Sequence, residues 1–290
     1  RPIELEKSSE TARGVATPPD KLSSKIVCPV FSFSNNLFFY RISASPGFNG
    51  LKNMSLYEYS DGGTVFEGYL AINKNQKIKK PCVMIAHAWD GLNDHFCSLA
   101  NNFAKQNFVG FAIDVYGKDK RGKIDGNNMH LMNPLIEDRS LLRKRLLAAF
   151  NEMQKHPLVL PDKIAIIGYC FGGLCALDLA RANPSGLKGA ISIHGGLTSS
   201  EFFQPQAKIN ASILVLHGLE DPVVPQETVL SFIDEMTKAE ADFQIHCYGH
   251  AKHAFTFVGA DIPEFGVKYN EKAHYRSETS IKNFIEEVFK

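Results

Sequence analysis

The chain has 290 residues, 44% of them hydrophobic and 22% charged, with a formal net charge of +1. That is ample apolar material for a sizeable core, and so even a charge balance points to neither nucleic acid nor an anionic membrane surface as partner. No apolar run reaches the roughly 18 residues of a membrane span; the nearest, Ile26 to Ile42, is broken by Pro29, Ser34, Asn35, Asn36 and Arg41.

The six cysteines, Cys28, Cys82, Cys97, Cys170, Cys175 and Cys247, form no CxxC pair and no Cys/His cluster with zinc-binding spacing. Scattered thiols within apolar runs suit a reducing compartment better than a disulfide framework. The N-terminus shows no continuous apolar segment of the signal-peptide kind, so a cytoplasmic location is expected.

Residues 1 to about 53 are polar and rich in Ser, Thr and Pro at their start, with no helical or strand period. They are expected to form an extension, disordered or foreign to the fold, although five aromatics between Phe31 and Tyr40 offer material to pack. Met54 opens a segment that reads as the start of the domain, 54–290.

From there strand and helix signals alternate. Val65 to Ile72 reads as a strand after the turn Asp61-Gly62-Gly63. Cys82 to His87 is a continuous apolar run, the pattern of a strand buried on both faces. Asn93 to Gln106 carries Phe96, Leu99, Ala100 and Phe103 on one helical stripe. Val109 to Val115 is a strand, Asp138 to Lys155 a long helix and Lys163 to Ile167 a buried strand. A helix over Leu174 to Arg181 and strands over Gly189 to Ile193 and Ser212 to His217 follow. Pro225 to Ala239 is a helix with proline at its start, Phe243 to Cys247 a strand, and Tyr269 to Phe289 the last helix. Such alternation predicts one α/β domain, a mostly parallel central sheet with helices on both faces.

The strand ending at Ile167 runs into Gly168-Tyr169-Cys170-Phe171-Gly172-Gly173 and then a helix. This is the layout of a nucleophile elbow, a sharp strand-to-helix turn in which small residues on either side leave room for a strained nucleophile. The helix N-terminus then points free N–H groups at the sulfur, which favours a thiolate and later an oxyanion. A buried cysteine at a tight turn would share the G-x-C-x-G string, but its place between buried strand and helix favours function. Cys175, inside the helix, reads as packing.

A thiol nucleophile needs a base, and the base an orienting acid. Asp221 follows the strand ending at His217, in His217-Gly-Leu-Glu-Asp221-Pro222, and His253 follows the next strand, in His250-Ala-Lys-His253-Ala-Phe255. Taken singly, Asp221 reads equally as a turn residue and His253 as one histidine among ten. Together with Cys170, both fall at successive strand ends, in the order nucleophile, acid, histidine. His250 is the nearest rival base; it lies earlier in the loop and lacks an apolar residue two positions on.

On these residues the chain resembles the dienelactone hydrolases, from about Tyr57 to Phe289. Gly168–Gly173 is similar to that family's cysteine elbow, and His217–Pro222 and His253–Phe255 to its acid and base segments. Further similar strings are Phe66-Glu-Gly-Tyr-Leu-Ala71, Ala86-His-Ala-Trp89-Asp-Gly-Leu-Asn-Asp-His95 and Asp114-Val-Tyr-Gly117. The resemblance implies an α/β-hydrolase fold and a hydrolase of small carboxylic esters or lactones, with no metal or organic cofactor. It also implies a catalytic triad of Cys170, Asp221 and His253, and an oxyanion hole from the backbone N–H groups of Phe171 and Trp89. A monomer or homodimer acting on a small molecule is expected. Hydrolysis of another bond, peptide or phosphotriester, and a non-catalytic binding module are the alternative readings.

Three departures from the family's pattern stand out. Ala88 occupies the position of a glutamate that holds the resting thiol; Glu67 is a candidate substitute, with an exposed strand glutamate as its other reading. Two arginines that grip a carboxylate substrate correspond to about Lys118 and to Phe257. Loss of the second cation argues for a less anionic, more apolar substrate.

Overall fold

The computed structural model describes residues 55–123, 126–200 and 208–290; the expected extension over residues 1–53 and its boundary at Met54 lie outside the described residues. The first half of the domain comprises β1 (Ser55–Ser60), β2 (Val65–Ala71), β3 (Lys80–Ala86), α1 (Asp94–Lys105), β4 (Val109–Ile113), α2 (Met129–Glu137), α3 (Arg139–Lys155) and β5 (Val159–Tyr169). The second comprises α4 (Phe171–Ala182), β6 (Leu187–Ile193), β7 (Ser212–Gly218), α5 (Gln226–Lys238), β8 (Phe243–Tyr248), β9 (Asp261–Ile262), β10 (Val267–Lys268) and α6 (Glu271–Val288).

Eight strands form one sheet in the order β1-β2-β4-β3-β5-β6-β7-β8. The β1–β2 and β2–β4 pairs are antiparallel and the other five parallel. Because side chains alternate along a strand, β3 sends Cys82, Met84 and Ala86 to one face and Val83 and Ile85 to the other. The first face packs on Leu142, Leu146 and Phe150 of α3, Leu177 of α4 and Phe232 of α5. The second packs on Phe96 and Ala100 of α1 and Phe284 and Ile285 of α6. Covering both faces explains why the central strands read as unbroken apolar runs.

Four elements depart from the sequence expectation. Strand β1, with alternating exposed and part-buried residues at the sheet edge, carries no continuous apolar signal. Helix α2 forms despite Pro134 inside it, a short helix tolerating the one hydrogen bond that proline removes. The two-residue strands β9 and β10 pair with each other, apart from the large sheet.

Helix α4, which starts beside Cys170, is tied to its surroundings by buried charges. Arg139 Nε donates to Asp178 Oδ2 at 2.5 Å, Arg181 Nη1 to Asp178 Oδ1 at 3.1 Å and Arg181 Nη2 to Glu235 Oε2 at 2.8 Å. Two guanidinium groups against two carboxylates leave no net charge, and burial raises the cost of breaking any one pair. Burial alone would depress the proton affinity of Arg181; its hydrogen bond to Glu235 and the charges of Asp178 and Glu235 instead raise it. Asp178→Ala leaves the buried Arg139 without its carboxylate and Arg181 with Glu235 alone, and is expected to lower stability by about 3 kcal/mol or more. The check is a urea titration: the midpoint should fall with the slope unchanged, and an unmoved midpoint would refute the network's role.

Candidate active site

Cys170 sits between the end of β5 and the first residue of α4 with φ 54° and ψ −115°. Its N–H donates to Ile193 O at 3.0 Å, extending the β5–β6 ladder by one residue. Flanking side chains would forbid the turn. A Cβ on Gly168 would lie 1.8 Å from Gly172 O, and one on Gly172 would lie 2.2 Å from Ala86 O. The elbow thus requires hydrogen at both positions, and a half-exposed sulfur is held at the rim of the sheet.

The structure brings the three predicted residues into one row. His253 Nδ1 donates to Asp221 Oδ2 at 2.8 Å, and His253 Nε2 faces Cys170 Sγ at 3.2 Å. Asp221 is held in turn by its other oxygen, Oδ1, which accepts from Val223 N at 2.8 Å. His253 and Asp221 are both buried. Burial by itself would drive the imidazole towards the neutral form. The charges of Cys170 and Asp221 and their hydrogen bonds outweigh it, and raise the His253 pKa well above its ordinary value. His250 lies elsewhere, exposed at the surface with Nδ1 2.9 Å from Glu220 Oε1.

Two residues quoted above only within strings prove to hold the segments of Ala88, Trp89 and Phe171. His87, fully buried, donates from Nδ1 to Ala88 O at 2.7 Å and accepts at Nε2 from Val115 N at 3.3 Å. A carbonyl can only accept, so the proton must sit on Nδ1. Burial pushes the pKa of this imidazole down to about 4 and keeps it neutral. Tyr116 donates its hydroxyl to Trp89 O at 2.9 Å and stacks on Phe171, ring centroids 5.8 Å apart. One phenol therefore links the two residues expected to supply oxyanion donors. The N–H groups of Trp89 and Phe171 have no acceptor among the described residues.

A further histidine escaped the sequence reading. Ile193 pairs with Tyr169 on one side and Leu216 on the other, so His194 stands in line between the nucleophile strand and the acid strand. Its Nε2 lies 2.9 Å from Thr256 Oγ1 and its ring 5.2 Å from that of His253. Burial, reinforced by the neighbouring His253 charge, holds its pKa well below the ordinary value. Register was the available signal, and register needs the strand order. Phe257 is half-buried beside His95, His194 and Tyr169, with centroids 5.5, 5.6 and 6.1 Å away.

The remaining candidates are paired elsewhere. Lys118 forms an ion pair with Glu58 and lies 4.0 Å from Glu67 Oε2. Glu67 Oε1 is 3.7 Å from Arg121, which itself binds the buried Asp114 at 3.1 Å. No hydrogen bond joins the Glu67 carboxylate to Cys170. Among the described residues no group of three or more His, Cys, Asp or Glu side chains is arranged to hold a metal ion, and no helix is long and apolar enough to cross a membrane.

The model of the dienelactone hydrolase family matches residues 66–289. Among solved structures, a dienelactone hydrolase-like promiscuous phosphotriesterase, P91, from metagenomic libraries superposes with a TM-score of 0.75. It is 32% identical and covers 82% of this chain and 98% of its own. An uncharacterised protein of Caenorhabditis elegans is 38% identical over 149 residues, 51% of this chain and 94% of that protein. A protein of Bradyrhizobium sp. named after 2-oxo-3-(5-oxofuran-2-ylidene)propanoate lactonase is 26% identical over 209 residues, 68% of this chain and 83% of its own length. The sheet and its flanking helices are those of the α/β-hydrolase fold.

If Asp221 contributes to holding the proton on His253, Asp221→Asn should move the titration of that imidazole to lower pH. Nitrogen NMR of labelled histidine reads this directly; a midpoint equal to that of the parent would remove Asp221 from the row.

Proposed function

The chain belongs to the dienelactone hydrolase family and is a hydrolase, and on that premise we propose that it cleaves small carboxylic esters or lactones through a thioester formed on Cys170. One observation carries the reading: the unbroken row Asp221–His253–Cys170, at 2.8 and 3.2 Å, at the start of α4.

His253 Nε2 takes the proton of the Cys170 thiol; the thiolate adds to the substrate carbonyl carbon, and the carbonyl electron pair moves onto oxygen. That oxyanion takes hydrogen bonds from the N–H groups of Phe171 and Trp89, each such donor being worth about 3 kcal/mol of barrier. Collapse breaks the carbon–oxygen bond, and the leaving alkoxide takes the proton from Nε2 of His253. Water then gives a proton to the same nitrogen as it attacks the thioester. The second tetrahedral species expels the sulfur as thiolate and frees the acid. Asp221 keeps Nδ1 protonated and the ring in plane throughout.

The pocket chemistry favours neutral, apolar substrates. Phe257 stands among Tyr169, His194 and His95, and Lys118 is engaged by Glu58, so neither position that resembles a carboxylate-gripping arginine offers an unpaired cation. A second reading, slower cleavage of phosphotriesters in the same site, is favoured by the likeness to P91, whose name carries that activity.

Cys170→Ala is expected to lower turnover of p-nitrophenyl acetate by about a thousandfold or more. Undiminished hydrolysis would remove the sulfur from the mechanism. In a substrate panel, kcat/KM for a neutral aryl ester should exceed that for an ester with a carboxylate on its acyl chain by about tenfold or more; the reverse order would overturn the substrate assignment. An aryl dialkyl phosphate run alongside tests the second reading.

A further inference from the structure

His253 and Asp221 lie on loops after different strands, yet both abut one small element. His253 N donates to Gly266 O at 2.8 Å, and Lys268 N donates to His253 O at 3.1 Å. These two bonds make His253 an isolated parallel bridge partner of Val267, so the backbone of the base is ruled by the β9–β10 hairpin. The hairpin is fixed at its far end, where Tyr269 N donates to Ala260 O at 2.7 Å and Asn270 N to Phe255 O at 3.0 Å.

Gly266, between the hairpin's 3-10 turn and β10, has φ 72°. A Cβ built on it would lie 2.1 Å from Pro222 Cγ and 2.4 Å from Pro222 Cδ. Pro222 is the residue directly after Asp221, and its ring is rigid, so this contact has little room to give. The same glycine thus accepts the hydrogen bond that places His253 and rests against the turn that places Asp221. Loop contacts on the opposite side complete the clamp: Glu220 N donates to Ala251 O at 2.9 Å and Leu219 N to Tyr248 O at 3.0 Å.

We infer that Gly266 is a positioning residue for hydrolysis: its bare Cα, seated on Pro222 while its carbonyl holds His253, sets the separation of acid and base. This inference rests on the proposed triad. A side chain at this position must push the hairpin from the Asp221 turn and carry His253 with it. Since catalysis depends on sub-ångström placement of reacting groups, a small shift is enough to lose rate.

The test uses the full chain and four variants: Gly266→Ala, Pro222→Ala, the double variant and Gly259→Ala. Gly259, just before β9 of the same hairpin, has φ 93° with open space where its Cβ would be, so it carries the backbone penalty without the collision. Two readouts are taken: kcat and KM for p-nitrophenyl acetate, and the pH profile of iodoacetamide alkylation of Cys170 followed by peptide mass. Gly266→Ala should lower kcat about tenfold or more with KM nearly unchanged, and should displace the alkylation profile because the imidazole has moved from the sulfur. Pro222→Ala removes the colliding ring atoms and should restore most of both properties in the double variant. If Gly266→Ala gives no folded protein, the double variant decides alone, by reaching or missing parental activity. Parental kcat in Gly266→Ala, an unrelieved loss in the double variant, or an equal loss in Gly259→Ala would each overturn the inference. Failure of the triad itself would show differently, as persistent hydrolysis by Cys170→Ala.

Discussion

Cys170 holds a backbone conformation, φ 54° and ψ −115°, that costs a non-glycine residue on the order of 1–3 kcal/mol. The cost is offset by what surrounds it. The Cys170 N–H is tied to Ile193, Gly172 lies against the carbonyl at the end of β3, and the helix behind is anchored through Asp178 to Arg139 and through Arg181 to Glu235. Each contact comes from a different strand or helix, so relaxing the elbow would mean shifting the centre of the sheet. The sulfur is therefore presented by a turn held from several strands and helices, while His253 and Asp221 come from loops and rest on a separate fixture in the β9–β10 hairpin.

Electrostatics then distinguishes histidines of similar burial. His87, His194, His217 and His253 are all buried near the C-terminal ends of the strands, and desolvation alone would keep every one neutral. For His87, His194 and His217 it prevails, and each has its pKa lowered. His217 feels the Asp221 charge but forms no hydrogen bond with it, and burial outweighs that attraction. Only His253 combines a carboxylate at 2.8 Å with a sulfur at 3.2 Å, and for it alone among the four the balance reverses. In the proposed mechanism the base is thus selected by its partners; residue type and depth are shared by all four.

The oxyanion side follows a different logic. Backbone donors have no side chain to recognise, and their placement depends on what holds the loop. Here a neutral His87 fixes the carbonyl of Ala88 and Tyr116 that of Trp89, while the Tyr116 ring lies on Phe171. Polar groups satisfied within a buried setting stiffen the loop, and in the proposed mechanism this stiffness lets plain amides serve as preorganised donors.

The alternation of strand and helix, the elbow around Cys170, and the order of Asp221 and His253 behind it are legible in the amino-acid string. These are local facts: apolar runs at strand length, glycines at a turn, polar residues just past a strand. Tertiary structure alone decided the rest. Glu67 and Lys118 find their partners in Arg121 and Glu58, His194 reaches the site through strand register, and the edge strand β1, the proline-bearing α2 and the β9–β10 hairpin carry too little local pattern to be seen. The reason is physical. Hydrophobic periodicity reports how a segment meets the core, whereas the pairing of charges and the seating of one loop on another depend on distances between residues far apart in the chain, which exist only once the sheet is assembled.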